Sequence, residues 1–194
     1  MEKIVLASQS PRRRQLLEWA EVAFDVLVKE TDESYPLDLE LEEIPVHIAR
    51  NKALAVRKET SEQRAVLAAD TMVALEREII GKPADREDAI RMLEKLSGRK
   101  HRVITGVVIL QHLSEIHFAD ITEVWFHDLS LPQIVYYVDK YKPYDKAGSY
   151  AIQEWIGVTG IKRINGDFYN VMGLPVSRVL KALKTLESGD DAVK

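Results

Sequence analysis

The segment "KIVLASQSPRRRQLLEWA" (residues 3–20) passes from strand to helix within a few residues, and the rest of the chain is read from it. "KIVLAS" (3–8) is a short apolar run suited to a strand. Ser10 offers a helix N-cap and Pro11 fits the first helical position. Leu16, Leu17 and Ala20 then recur with helical spacing. Between cap and apolar face stand three arginines, Arg12, Arg13 and Arg14. A helix N-terminus already carries partial positive charge, so cations in its first turn cost about 0.3–1 kcal/mol each unless an anion is bound there. Positions 13, 16, 17 and 20 share one face, which turns Arg13 inward at the edge of the buried stripe. Arg14 falls on the opposite side, near Glu18 and Glu21, as a solvated residue. Spacing alone leaves two readings open: three surface charges, or a clamp for an anion.

Outward from this segment, strands and helices keep mixing. "FDVLVKE" (24–30) reads as a strand leading to the acidic loop "TDESYPLDLE". A helix from Pro45 to about Glu59 carries Ile48, Ala49, Ala53 and Val56. "RAVLAAD" (64–70) is a buried strand ending in a carboxylate, and "VALEREIIGKP" (73–83) can form a hairpin about Glu76-Arg77. A helix over 85–97 is capped by Asp85. "HRVITGVVIL" (101–110) is a long strand and residues 116–129 offer another with edge character. Helices follow at 130–139 and 175–186, separated by Gly-rich segments expected to be irregular or short strands. This predicts an α/β chain with a mixed sheet, a single domain over 1–187 and a frayed tail over 188–194.

Composition narrows the function. The chain has 194 residues, 46% of them hydrophobic and 30% charged, enough for a substantial core. A net charge of -4 argues against stable nucleic-acid binding. The absence of cysteine excludes disulfides, thiolate metal sites and thiol catalysis, and fits a reducing, cytoplasmic setting. No apolar stretch has the length of a signal peptide core or a membrane span. The five histidines lack metal-ligand spacing, and no HExxH, P-loop or GxGxxG occurs.

Four further residues stand out. Lys52 lies on the apolar stripe of its helix, where a lone lysine ordinarily snorkels to solvent. Asp70 closes a buried strand, and in open α/β sheets ligands bind beyond the carboxyl ends of strands. It is a candidate base or Mg²⁺ ligand, or else the start of an Asx turn. If Leu75 pairs with Glu78, the continued ladder sets Thr71 opposite Lys82 and brings Lys82 beside Asp70. Glu33 sits in the acidic loop and alone means little. Together these residues suggest phosphate-ester or anhydride chemistry without naming a substrate.

"LASQSPRRRQLL", "AADTMVAL", "GKP", "DKAGSYAIQ" and "INGDFYNVMGLP", in this order and spacing, resemble the Maf family of nucleoside triphosphate pyrophosphatases from Ile4 to about Leu186. The resemblance implies a fold like the inosine-triphosphate pyrophosphatases: an elongated mixed β-sheet with flanking helices, and two lobes around a central cleft. It implies a house-cleaning hydrolysis of a nucleoside triphosphate to monophosphate and pyrophosphate, with Mg²⁺ or Mn²⁺ as cofactor, and homodimers are common in such proteins. By the same resemblance Ser8 and Arg13 bind phosphate, Glu33 and Asp70 hold metal, Lys52 and Lys82 are site lysines, and Asp70 is the proton acceptor. Arg12, Thr71 and Gln153 match the members that prefer dTTP and UTP. Uracil and thymine offer O4 as acceptor and N3–H as donor, which a Gln amide can pair with. A flipped amide could also read cytosine, whereas the guanidinium of Arg12 only donates. Glu154 and Trp155 depart from the glycine-rich continuation of many members. The rival expectations are the same reaction on another base, such as 7-methyl-GTP, and a non-catalytic nucleotide-binding regulator of cell division.

Overall fold

The computed structural model describes residues 3–188. Residues 189–194, most of the expected tail, lie outside the described residues. The strand-to-helix passage forms as the sequence dictates: β1 (Ile4–Leu6) leads to α1 (Pro11–Trp19). The Ser10 side chain accepts from the Arg13 amide at 3.5 Å, and Leu16 and Leu17 are buried. Then follow β2 (Phe24–Val26), α2 (Glu43–Arg57), β3 (Val66–Leu75), β4 (Glu78–Ile80), α3 (Arg86–Leu96), β5 (Lys100–Gln111) and β6 (Ser114–Phe126). The remainder holds α4 (Leu131–Tyr141), a short 3₁₀ turn (Ala147–Ser149), α5 (Trp155–Gly160), β7 (Ile161–Asn165), α6 (Phe168–Met172) and α7 (Val176–Ser188). No helix among the described residues is long and apolar enough to cross a membrane.

The seven strands form one mixed sheet in the order β2-β1-β3-β5-β6-β7, with β4 paired to β3. β1 runs parallel to β2 and β3, whereas β4 and β7 pair antiparallel. Helices complete the α/β architecture. The chain divides into two compact units. Among the described residues the first comprises 3–70, 105–120 and 173–188; the second comprises 71–104 and 121–172. β3, β5 and β6 each pass from one unit into the other. In the first unit, Ala49, Ala53 and Val56 of α2 pack on Val5, Val66 and Val108 of the strands. In the second, Leu93 and Leu96 of α3 and Ile134, Tyr137 and Val138 of α4 close over Val124 and Phe126, among others.

Several expectations are corrected. Asp70 does not end a strand, and no Asx turn follows it. β3 continues through it, because the residues beyond Thr71 are as apolar and as buried as those before Asp70. Residues 116–126 are not an edge throughout, since β7 pairs with Glu123 to Phe126. The Gly-rich segments contain two short helices as well as β7. The strand at 24–30 stops pairing at Val26. The hairpin register holds, with Leu75 opposite Glu78 and Glu76 at φ 58, but the ladder stops at Val73 opposite Ile80, two residues short of Lys82.

Candidate active site

Three parallel strands of the first unit deliver the charged residues. β1 ends at Leu6, paired with Leu67, so Asp70 on β3 stands three residues beyond the shared ladder. The loop after β1 carries Ser8, the first turn of α1 carries the arginines, and the chain beyond β2 leads to Glu33. This is the carboxyl-end position where α/β sheets bind ligands, reached by a strand that runs on rather than one that stops.

Arg13 is the buried member of the arginine run, only 8% exposed. Its Nε donates to the Gly173 carbonyl at 2.8 Å, and one terminal nitrogen donates to Ser8 Oγ at 3.1 Å. Ser8 Oγ also accepts from the Ser10 amide at 3.2 Å, which ties the loop to the guanidinium. Burial lowers the Arg13 pKa from the ordinary arginine value; Asp70 and Glu33 oppose the shift, and Arg12 adds to it. A guanidinium stays charged regardless, so the interior holds a cation that an anion would stabilise. Arg12 is half-buried. Arg14, expected in solvent, is half-buried too, and its Nε is covered without a hydrogen-bond partner among the described residues. A long arginine stem can lie along apolar surface even when helical phase points it outward.

Lys52 does not snorkel. Its Nζ lies 2.7 Å from Glu33 Oε1 and 2.7 Å from Asp70 Oδ1, bridging two carboxylates from distant parts of the sequence. The Lys52 and Asp70 side chains are each 19% exposed and that of Glu33 56%, so the cluster opens on the Glu33 side. The ammonium thus holds together two carboxylates whose oxygens are the donors a hard cation prefers. Among the described residues no group of three or more His, Cys, Asp or Glu could enclose a metal. Two carboxylates completed by substrate phosphates is the ordinary protein share of a Mg²⁺ site, and the donor set fits it.

The structure thus brings together Ser8 with Arg13, and Glu33 with Lys52 and Asp70. Thr71, Lys82 and Gln153 belong to the second unit. Gln153 is exposed, at the crest of a turn from Ala151 to Glu154 closed by the Glu154 amide on the Ala151 carbonyl at 3.1 Å. Trp155 is half-buried, with its ring edge-on to Tyr136 at 5.0 Å and packed against the unit's core. Sequence reasoning missed the Gly173 carbonyl and Tyr137, whose hydroxyl accepts from the Ala151 amide at 3.1 Å and donates to Glu154. A backbone carbonyl has no residue signature, and Tyr137 reads only as one apolar position of an amphipathic helix.

A buried guanidinium in the first turn of α1 and a carboxylate–ammonium cluster beyond the ladder of β1 and β3 define an α/β protein with opposite charges gathered in its first unit. The family model for Maf-like protein matches residues 3–186, and the chain belongs to the Maf family. A Cytophaga hutchinsonii protein named dTTP/UTP pyrophosphatase is 49% identical over 183 residues, covering 94% of this chain and 84% of that one. Parabacteroides distasonis and Bacteroides fragilis proteins of the same name are 49% and 48% identical, covering 94% and 95% of this chain and 95% and 96% of theirs. The solved Staphylococcus aureus Ham1 protein aligns at a TM-score of 0.47 and 14% identity, over 66% of this chain and 73% of that one.

Proposed function

We propose that the protein hydrolyses dTTP and UTP to the nucleoside monophosphate and pyrophosphate, with a divalent metal. The observation that carries this reading is the Lys52 ammonium shared between Glu33 and Asp70, in the same unit as the buried Arg13. The relatives' shared name supplies the substrate. Water attacks the α-phosphorus in line; the new bond is P–O from water, and the bond to the bridging oxygen breaks to release pyrophosphate. Asp70 accepts the proton that the water loses. Arg13 and Ser8 hold phosphate oxygens through charge-assisted bonds. Lys52 and Lys82 offset the charge that grows on the departing pyrophosphate. Glu33 and Asp70 would hold Mg²⁺ or Mn²⁺, which supplies Lewis-acid stabilisation of the phosphate oxygens. In the substrate complex Lys52 would exchange its carboxylate partners for phosphate oxygens. Thr71, Gln153 and Arg12 read the pyrimidine, as the family pattern implies.

The test is pyrophosphate release across dTTP, UTP, CTP, ATP, GTP, 7-methyl-GTP and modified pyrimidine triphosphates, with and without EDTA. The expected result is highest kcat/KM on dTTP and UTP, abolished by EDTA and restored by excess Mg²⁺ or Mn²⁺. Highest kcat/KM on 7-methyl-GTP would overturn the base preference. Tight nucleotide binding without pyrophosphate release would overturn catalysis.

A further inference from the structure

The second unit contains a polar arrangement that hydrolysis itself does not use, built around the turn of Gln153. Ile152 and Gln153 are the central residues of that turn, one buried and the other exposed. A single phenol grips both of its ends: Tyr137 Oη accepts from the Ala151 amide at 3.1 Å and donates to the Glu154 carboxylate. Tyr137 is fully buried on α4, stacked on Tyr141 with ring centroids 5.0 Å apart, so its hydroxyl cannot follow a turn that moves. The buried Lys146 places its ammonium 3.7 Å from the other Glu154 oxygen, adding charge to the same grip. The backbone of α5 also closes on the turn. A Cβ at Gly157 would stand 1.7 Å from the Ile152 carbonyl oxygen, leaving no room for any other residue.

We infer that Tyr137, acting through the Ala151 amide and the Glu154 carboxylate, is a positioning residue that fixes how Gln153 presents its amide to the base. This rests on the reading of Gln153 as a base reader. Uracil differs from cytosine in having O4 where cytosine has an amino group, and exchanging the two ends of one amide exchanges the preference. An amide on a loose turn offers either end. On a turn clamped at both ends, fewer backbone positions are available to it, so the amide approaches the ring from one direction and pairs best with one arrangement of donor and acceptor.

The experiment compares kcat/KM for UTP and CTP in the parent, Tyr137→Phe, Glu154→Ala, Glu154→Gln and Gln153→Ala, with each variant's folding checked by thermal melting. Tyr137→Phe keeps the ring and its stacking and removes only the hydroxyl. The expected result is a five- to tenfold fall in the UTP-to-CTP ratio for Tyr137→Phe and Glu154→Ala, about the worth of one hydrogen bond. The fall comes through KM for UTP more than through kcat. Glu154→Gln, which keeps an acceptor for the phenol, retains most of the ratio. If Gln153→Ala collapses the ratio while Tyr137→Phe and Glu154→Ala leave it within twofold, the clamp is overturned and the base reading stands. If Gln153→Ala leaves the ratio untouched, the base reading falls and the clamp with it.

Discussion

The charged cluster of the first unit and the Gln153 turn of the second solve opposite problems. Ser8, Arg13, Glu33, Lys52 and Asp70 are held mainly by one another, charge against charge, at the ends of parallel strands. Such partners can be exchanged, because phosphate and metal can replace carboxylate and ammonium in kind. Gln153 is held by nothing the reaction consumes: a buried phenol, a carboxylate behind it and a glycine that permits close contact. On the proposed reading, the contrast teaches that a phosphate-handling site can be built of interchangeable ion pairs, whereas a base-reading amide needs a support that stays the same before and after turnover.

The largest break in that comparison is at Asp70. Asp70→Asn keeps the shape and a hydrogen-bonding oxygen for Lys52 but cannot accept a proton. Loss of a general base costs about 10²–10⁴-fold, and kcat for dTTP is expected to fall by that much while the UTP-to-CTP ratio stays put. Pyrophosphate release followed under saturating Mg²⁺ checks both numbers. Near-parental turnover would remove Asp70 from its role.

Lys52→Met should separate binding of metal from turnover. Without the ammonium, Glu33 and Asp70 are two carboxylates sharing a place without a counter-charge, a pairing that favours a cation. Affinity for free Mn²⁺, followed by electron paramagnetic resonance without nucleotide, is expected to rise several-fold. Turnover of dTTP is expected to fall by about 10²-fold as the developing charge loses its partner. Weaker Mn²⁺ binding in the variant would mean that Lys52 organises the carboxylates rather than holding their place.

Much of this first unit was legible in the sequence. Ser10, Pro11 and the 13/16/17/20 face fixed the helix start and the inward turn of Arg13, since caps and periodicity are local signals. Lys52 was not legible by local rules. Its apolar stripe argued for snorkelling, and only the resemblance argued otherwise, because its partners lie 19 residues before it and 18 after. Asp70 was marked as a site candidate for a strand end that does not exist; β3 runs on through it, and the ladder shared with β1 stops three residues earlier, at Leu67, a tertiary fact. Tyr137 and Gly157 were invisible, because each owes its role to how the folded chain sets it against the turn rather than to any local pattern.

Two glycines test the division of labour more finely. A Cβ at Gly106 in the first unit would stand 2.2 Å from Pro45 C and Val46 N, in the first turn of the helix that carries Lys52. A Cβ at Gly157 would strike the carbonyl of Ile152, next to Gln153. Each alanine should cost at least the ~1–3 kcal/mol typical of overpacking. Their functional signatures should differ. Gly106→Ala lowers kcat/KM for UTP and CTP alike, whereas Gly157→Ala lowers the ratio between them. Equal effects on the ratio would mean that the two regions do not work separately.

The smallest expected effect lies in the core of the second unit. His101 is 1% exposed, with Nε2 2.7 Å from Tyr150 Oη and its ring 5.1 Å from that of Phe126. Burial pushes its pKa down to about 3. The folded protein therefore keeps it neutral at a pH where the unfolded chain, with a pKa of about 6.5, takes up a proton. The unfolded state binds more protons between those values, so stability is full above about pH 6.5 and declines as pH falls toward 3. At pH 5 the loss from this group amounts to about 2 kcal/mol. His101→Gln keeps a hydrogen-bonding partner for Tyr150 and removes the titrating ring. The variant is expected to be less stable than the parent at pH 7, with the gap narrowing by about that amount at pH 5 as measured by urea unfolding. A gap that stays constant across that range would show that His101 takes up its proton as readily in the fold as in the unfolded chain, and that burial beside Tyr150 and Phe126 does not hold it neutral.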